Sequence, residues 1–185
     1  MGSGIPNNPD TGSIPFQIAT ARLAIAPCDV AAAQELAQLM TDARVYVPYR
    51  VSRPCAAQAE PDVAMWTQEP DDWLNRSRMN LAVHLRATNT VIGVVQFTPV
   101  QLAYFVHPDY WQLGYGTEMV GSACEVVPGL LRIPTLNAYV IRENLGSRNI
   151  LAQAGFVFKG LAPRAWRAGH GTVTMLHYAL RVPSA

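Results

Sequence analysis

The chain has few charged residues and no long apolar run. Charged side chains make up only 15% of its 185 residues and the formal net charge is +1, so no overall field attracts nucleic acid. The apolar runs are shorter than the roughly 20 residues that a membrane-spanning helix needs. The sequence contains no basic segment followed by an apolar segment, which is the pattern that indicates a secretory signal. We therefore expect neither a nucleic-acid nor a membrane partner.

Cysteine is also scarce. Cys28, Cys55 and Cys124 are odd in number and far apart, so they form no CxxC motif and no metal-ligand spacing. We expect no disulfide framework and no bound metal. A reducing, cytoplasmic location is the default expectation.

What the chain has is apolar residues, which make up 50% of it and suffice for one domain with a hydrophobic core. Residues 1–14 are rich in glycine, proline, asparagine and serine without periodicity, which predicts a flexible arm before a folded domain over 15–185. Seven segments have the pattern of strands: 16–26, 81–86, 91–97, 102–107, 136–141, 156–161 and 172–180. Four helices are predicted: after Asp29, from Asp71, over 114–128, and from Asn144 to a stop at Gly155.

The stretch from Leu102 to Val127 indicates a binding site. A β-type run ends at His107, a Pro-Asp break follows, and the glycine pair Gly114 and Gly116 precedes helical periodicity. A strand, a glycine turn and a helix start direct several backbone N–H groups at one point, and the helix dipole adds partial positive charge there. An anion, most often a phosphate, is the expected ligand.

Two named phosphate loops do not match this stretch. Met119 stands where the dinucleotide fingerprint G-x-G-x-x-G needs its third glycine, and no Gly-Lys-Ser/Thr follows. A glycine turn that binds nothing remains the alternative at this point.

Two segments resemble motifs of the GNAT superfamily of N-acetyltransferases. Tyr104–Glu118 resembles its acyl-CoA-binding motif, most closely that of the Rim-type branch, which acetylates the N-termini of ribosomal proteins. Glu143–Ser147, followed by Leu151–Phe156, is similar to the family's helix pattern EN..S…L.K.GF. The resemblance implies a GNAT-like single domain of the α/β (α+β) class. Its sheet would be mixed and mostly antiparallel, with six to seven strands, about four flanking helices and splayed central strands.

The implied activity is acetyl transfer from acetyl-CoA, as co-substrate, directly to a primary amine. The acceptor would be a small molecule or a protein N-terminus, and a homodimer is common among relatives. Two alternatives stay open. One is a catalytically weak acyl-CoA-binding or regulatory domain, and the other is an N-acyltransferase that uses a longer acyl donor.

The resemblance also implies which residues bind coenzyme A. The pyrophosphate would lie on the N–H groups of 112–117, and the pantetheine arm would pair with the strand at Phe105 and Val106. Gln112 and Leu113 depart from the family, which often has small and basic residues there; losing a basic residue costs about 0.5–1 kcal/mol. The predicted binding residues are Phe105, Val106, Trp111, Gln112, Leu113, Gly114, Tyr115, Gly116, Thr117, Asn144, Ser147 and Arg148.

Three of these residues receive catalytic roles from the resemblance. The N–H of Val106 would polarise the thioester carbonyl, Asn144 would hold the pantetheine amide, and Ser147 would donate its hydroxyl hydrogen to the thiolate. The alternative for Asn144 is a plain N-cap, and for Ser147 an ordinary first-turn serine. We identify no general base, so we expect the amine to lose its proton to water or before binding.

The resemblance places the acceptor walls in Val45–Trp73 and Pro163–Gly171. The first segment contains an acidic cluster, which either attracts a cationic amine or is a solvated loop. The cluster consists of Glu60, Asp62, Glu69, Asp71 and Asp72.

Overall fold

The structure is a computed structural model that describes residues 16–39, 42, 44, 67, 78–165 and 172–183. Within these residues the strands are β1 (Ile18–Ala19), β2 (Leu23–Pro27), β3 (Met79–Leu85), β4 (Val91–Phe97), β5 (Leu102–Val106), β6 (Thr135–Ile141), β7 (Val157–Ala165) and β8 (Thr172–Arg181). The α-helices are α1 (Val30–Leu39), α2 (Tyr115–Leu130) and α3 (Leu145–Gln153). None of the helices in these ranges is long and apolar enough to cross a membrane.

The strands form two antiparallel sheets that meet at β5 and β6. One sheet has the order β1-β2-β3-β4-β5 and the other the order β6-β8-β7. In the described part of the chain, a parallel bridge between Gln101 and Asn137 is the only pairing that joins the two sheets. Beyond this bridge β5 and β6 do not pair, which confirms the predicted splay of the central strands.

Helices cover both faces of the larger sheet. Leu81 and Val95 point to the face that packs against Met119 of α2. Their neighbours Ala82 and Val94 point to the opposite face, which α1 covers. Because side chains alternate along each strand, these strands are buried on both faces. The packed sheet in turn fixes the position of β5 relative to the start of α2.

The first predicted elements differ slightly from the observed ones. The strand predicted over 16–26 is a hairpin of β1 and β2, whose turn is closed by the Thr20 N–H donating to the Leu23 carbonyl over 2.9 Å. Asp29 caps α1 as predicted, because its carboxylate accepts the Ala32 N–H at 2.8 Å. Val30, the first residue of α1, is 58% exposed, whereas Leu36 of the same helix is fully buried.

The later boundaries differ at prolines. Helix α2 continues two residues past Pro128, so this proline lies within the last turn of the helix and does not end it. After the helix the chain turns, and the Ile133 N–H donates to the Pro128 carbonyl over 2.8 Å. Strand β7 continues past the predicted end at residue 161, through Pro163 to Ala165, and these residues pair with β8. The helix predicted from Asp71 lies outside the described residues.

Candidate active site

A cleft of about 710 Å³ opens where β5 and β6 diverge. It extends from the last residues of β5, past the loop that precedes α2, to the first turn of α3. Its walls are formed by Tyr104, Phe105, Val106, Tyr110, Trp111, Gln112, Gly114, Gly116, Thr117, Ile141, Glu143, Asn144, Leu145, Gly146, Ser147, Asn149 and Ile150.

The start of α2 forms one end of the cleft. Gly114 is its N-cap with φ +81°, and no side chain makes a capping hydrogen bond there. Gln112 also has a positive φ of 61°, so the loop turns sharply before the helix. The first N–H groups of a helix have no intrahelical partner, and a positive dipole end adds to them. This end of the cleft therefore has the donor arrangement of an anion site.

Two glycines allow close backbone contacts around the cleft. A Cβ on Gly116 would lie 2.5 Å from Ile150 Cδ1, so this glycine lets α2 pack against α3. The sequence indicates this glycine only as part of the glycine turn and as a predicted coenzyme residue. A Cβ on Gly93 of β4 would collide with the Phe105 carbonyl oxygen and lie 3.2 Å from Val106 Cα. Gly93 therefore keeps β5 close to β4 beside the cleft.

The pairing of β5 determines where the Val106 N–H points. The His107 N–H donates to the Ile92 carbonyl of β4 over 2.7 Å. In an antiparallel pair, alternate residues face the partner strand, so Val106 directs its backbone groups away from β4 and towards the gap. Its carbonyl accepts the Trp111 indole N–H at 2.7 Å, which holds that ring against the strand. The N–H of Val106 therefore points into the gap between β5 and β6.

The first turn of α3 forms the opposite wall. Asn144 is the N-cap, and its Oδ1 accepts the Ser147 N–H at 3.0 Å. The Ser147 hydroxyl donates to Tyr104 Oη over 2.9 Å, and Tyr104 Oη donates to the Ser147 carbonyl over 3.1 Å. Tyr104 is not among the binding or catalytic residues predicted from the sequence. The signal that could have found it is its alternation with Val106 on one side of β5.

Arg22 is a second residue that the sequence does not indicate. It lies in the hairpin turn, yet its Nη1 donates to the Leu113 carbonyl over 3.0 Å, and its Nη2 lies 2.6 Å from Glu118 Oε2. Its guanidinium carbon is 4.2 Å from the centre of the Tyr115 ring. Partial burial opposes ionisation of Glu118, but hydrogen bonds from Thr20 and Arg22 outweigh it and lower the pKa of this carboxyl. Arg22 therefore connects the loop before α2, at Leu113, to the first turn of that helix, at Glu118.

The cleft brings together nine of the twelve predicted coenzyme residues. Leu113, Tyr115 and Arg148 do not line it. The first two contact Arg22, and Arg148 Nη1 donates to the Arg142 carbonyl over 3.2 Å. Their contact with coenzyme A stays a prediction.

The predicted acceptor walls fall largely on parts of the chain outside the described residues. Of Val45–Trp73, the structure describes Thr67 alone, so the whole acidic cluster is outside. Of Pro163–Gly171, only the backbone of the first three residues is described, as part of β7. The nature of these walls stays a prediction.

The described cysteines are unsuited to covalent catalysis. Cys28 and Cys124 are both buried and free. Burial, with smaller contributions from Asp29 and Glu125 respectively, raises the pKa of each thiol to about 12. Since the thiolate is the nucleophilic form, neither residue can readily carry an acetyl group.

Comparison with known families shows to which protein family this chain belongs. The family described as acetyltransferase (GNAT) domain matches residues 22–157, well over half of the chain. This chain belongs to the GNAT family. The GNAT resemblance of the two sequence motifs is therefore confirmed, and the chain is an N-acetyltransferase. The comparison with curated proteins gives no match.

Solved structures share the fold of this GNAT domain at low sequence identity. The ribosomal-protein-S5-alanine acetyltransferase of Vibrio fischeri is 14% identical, with a TM-score of 0.77 over 90% of this chain and 96% of that one. RimL, the ribosomal L7/L12 alpha-N-protein acetyltransferase, in complex with coenzyme A, is 13% identical, with a TM-score of 0.75 over 90% and 98%. The microcin C7 self-immunity acetyltransferase MccE, in complex with acetyl-CoA and AMP, is 15% identical, with a TM-score of 0.72 over 88% and 94%. The predicted GNAT-like fold is thereby confirmed.

Proposed function

We propose that this GNAT enzyme transfers the acetyl group of acetyl-CoA directly to a primary amine in the cleft between β5 and α3. One observation carries the proposal. The uncapped start of α2, the outward-facing N–H of Val106 and the hydroxyl of Ser147 all border the same cleft. These are a phosphate-binding group, a carbonyl-polarising group and a proton donor.

Each wall then has a separate task. The N–H groups at the start of α2 bind the pyrophosphate, and the Val106 N–H stabilises negative charge on the carbonyl oxygen during transfer. Asn144 uses Oδ1 to cap α3, so its NH₂ group is the part that can hold a pantetheine carbonyl. Ser147 donates its hydroxyl hydrogen to the leaving thiolate. Direct transfer agrees with the raised thiol pKa of both described cysteines.

The acceptor that we propose to test first is a protein N-terminus. Two of the structures that share the fold are acetyltransferases of ribosomal proteins, which supports this choice. A small amine is the competing acceptor, because the fold is also shared by an acetyltransferase that is not described as acting on a ribosomal protein, the microcin C7 self-immunity enzyme.

Thiol release from acetyl-CoA tests the proposal. The wild type is assayed with a panel containing peptides with N-terminal alanine or serine, spermidine and an aminoglycoside. We expect at least one amine to give turnover. We expect Ser147→Ala to lower kcat by about 10²-fold, because general acid catalysis contributes roughly that much. Its Kd for acetyl-CoA, measured by calorimetry, should stay near the wild-type value.

A matched control separates chemistry from helix stability. Ser122→Ala makes the same change in α2, where the hydroxyl donates to the Glu118 carbonyl and does not line the cleft. It should leave kcat unchanged. If acetyl-CoA binds but no amine in the panel releases thiol, the chain is better described as an acyl-CoA-binding domain. If a longer acyl-CoA turns over faster, the acetyl specificity is wrong.

A further inference from the structure

Tyr104 and Ser147 form a closed hydrogen-bonded pair. The Ser147 hydroxyl donates to Tyr104 Oη over 2.9 Å, while Tyr104 Oη donates to the Ser147 main-chain carbonyl over 3.1 Å. A carbonyl oxygen can only accept, so the phenolic hydrogen is directed to it. The hydrogen between the two side chains must therefore come from Ser147.

The tyrosine is held by rigid elements. It stands in the middle of β5, two residues before Val106 and on the same side of the strand. Its half-buried ring packs against the main hydrophobic core, its hydroxyl is hydrogen-bonded to Ser147, and both residues line the cleft. Strand and core, rather than a loop, thus fix the distance between the two hydroxyl groups.

The chemistry of the leaving group makes this pairing useful. A thiol such as that of coenzyme A is about as acidic as cysteine, with a pKa near ~8.5, and a tyrosine phenol has a pKa near ~10. A serine hydroxyl is far less acidic than either. If Ser147 gave up its hydrogen alone, it would be left as an unstable alkoxide. A neighbouring phenol that returns a proton to Ser147 removes this obstacle.

We infer that Tyr104 is the source of the proton that reaches the leaving thiolate and that the Ser147 hydroxyl relays it. The inference rests on the proposed function. The C–S bond of the thioester breaks as the C–N bond forms, the hydroxyl hydrogen of Ser147 moves to sulfur, and the phenolic hydrogen of Tyr104 moves to Ser147 Oγ. Water takes the proton released by the amine and returns one to the phenolate. Only rotation of two hydroxyl groups separates the observed hydrogen-bond directions from those of the relay.

The pH profile provides a readout that a merely structural tyrosine would not change. Among the described residues lining the cleft, the titratable groups are Tyr104, Tyr110 and Glu143. The relay needs a protonated phenol, and fluorination makes a phenol more acidic. Replacing Tyr104 by 3-fluorotyrosine should therefore move the alkaline limb of kcat to lower pH, whereas the same replacement at Tyr110 should leave the limb in place.

Removal of the phenol completes the test. Tyr104→Phe should lower kcat about 10-fold or more with acetyl-CoA and the panel amine that the wild type acetylates fastest. Its Kd for acetyl-CoA should be unchanged, which also shows that the variant is folded. Added to Ser147→Ala, it should cause little further loss, because the two residues act as one chain.

The outcomes separate the two proposals. The relay is overturned if Tyr104→Phe has wild-type kcat, or if 3-fluorotyrosine at position 104 does not shift the alkaline limb of the kcat profile. Either result leaves the proposed acetyltransferase activity intact. A wild type that releases no thiol with any amine overturns the proposed activity, and the relay with it.

Discussion

Helices α2 and α3 both begin at the edge of the cleft, but their N-termini are completed in opposite ways. At α2, Gly114 takes a left-handed conformation and no side chain caps the helix. At α3, the Asn144 side chain accepts the Ser147 N–H at 3.0 Å. At the first helix no side chain occupies the backbone donors, whereas at the second a side chain of the chain itself accepts one of them.

This difference matches two kinds of task. Binding a phosphate requires open backbone donors, and their geometry must be held from outside; the Arg22 contacts with Leu113 and Glu118 do this. Positioning one hydroxyl requires a rigid first turn, which the internal cap supplies at Ser147. Substitutions at the two helix starts test this contrast.

We expect the largest effect from Gly114→Ala. A non-glycine residue at φ +81° costs about 1–2 kcal/mol, so the free energy of unfolding should fall by this amount. The open donors should also lose their geometry, and acetyl-CoA should bind about tenfold more weakly, equivalent to about 1.4 kcal/mol. Urea unfolding and calorimetry measure the two quantities.

The same helix offers a matched control for this change. A Cβ on Gly121 would meet nothing within 4 Å, so Gly121→Ala should raise stability by about 0.5–1 kcal/mol and leave the Kd for acetyl-CoA unchanged. Wild-type affinity in Gly114→Ala would show that the start of α2 is not the phosphate site.

The second effect is at the closed helix start. Asn144→Ala removes the acceptor of the Ser147 N–H and should lower the free energy of unfolding by about 1 kcal/mol in thermal or urea denaturation. Asn144→Ser keeps a capping oxygen and should restore most of this loss.

The serine variant also separates the two roles of Asn144. If Asn144→Ser is stable but binds acetyl-CoA weakly, the amide group contacts the pantetheine as proposed. If both variants bind acetyl-CoA like the wild type, Asn144 is only a cap.

Most of this architecture is readable from local sequence signals. The strand at 91–97 has the predicted bounds, and Asn144 and Gly155 begin and end α3 as capping chemistry predicts. Such features depend on residues a few positions apart. The same holds for the glycine turn before α2.

Long-range contacts are what local patterns miss. Arg22 and Glu118 are 96 residues apart, and Tyr104 and Ser147 are 43 apart, so their meeting depends on the sheet and not on spacing. The need for Gly116 likewise comes from Ile150 on another helix. A packed fold has to be known before these partners can be identified.

The smallest expected effect concerns the support of the open helix start. In Glu118→Gln the ion pair with Arg22 is lost; because their side chains are 45% (Arg22) and 19% (Glu118) exposed, the cost should be about 0.5–1 kcal/mol at neutral pH. The pKa of Glu118 is lowered on folding, so its contribution is present above the ordinary glutamate value and is lost as pH falls through the folded value. The stability difference between wild type and variant should therefore shrink in acid, as urea unfolding from pH 7 to pH 3 can measure. The control Glu125→Gln, at an exposed position of the same helix, should show no such trend. If the difference in free energy of unfolding between wild type and Glu118→Gln does not change with pH, then the packing of the Glu118 side chain and not its charge supports the loop.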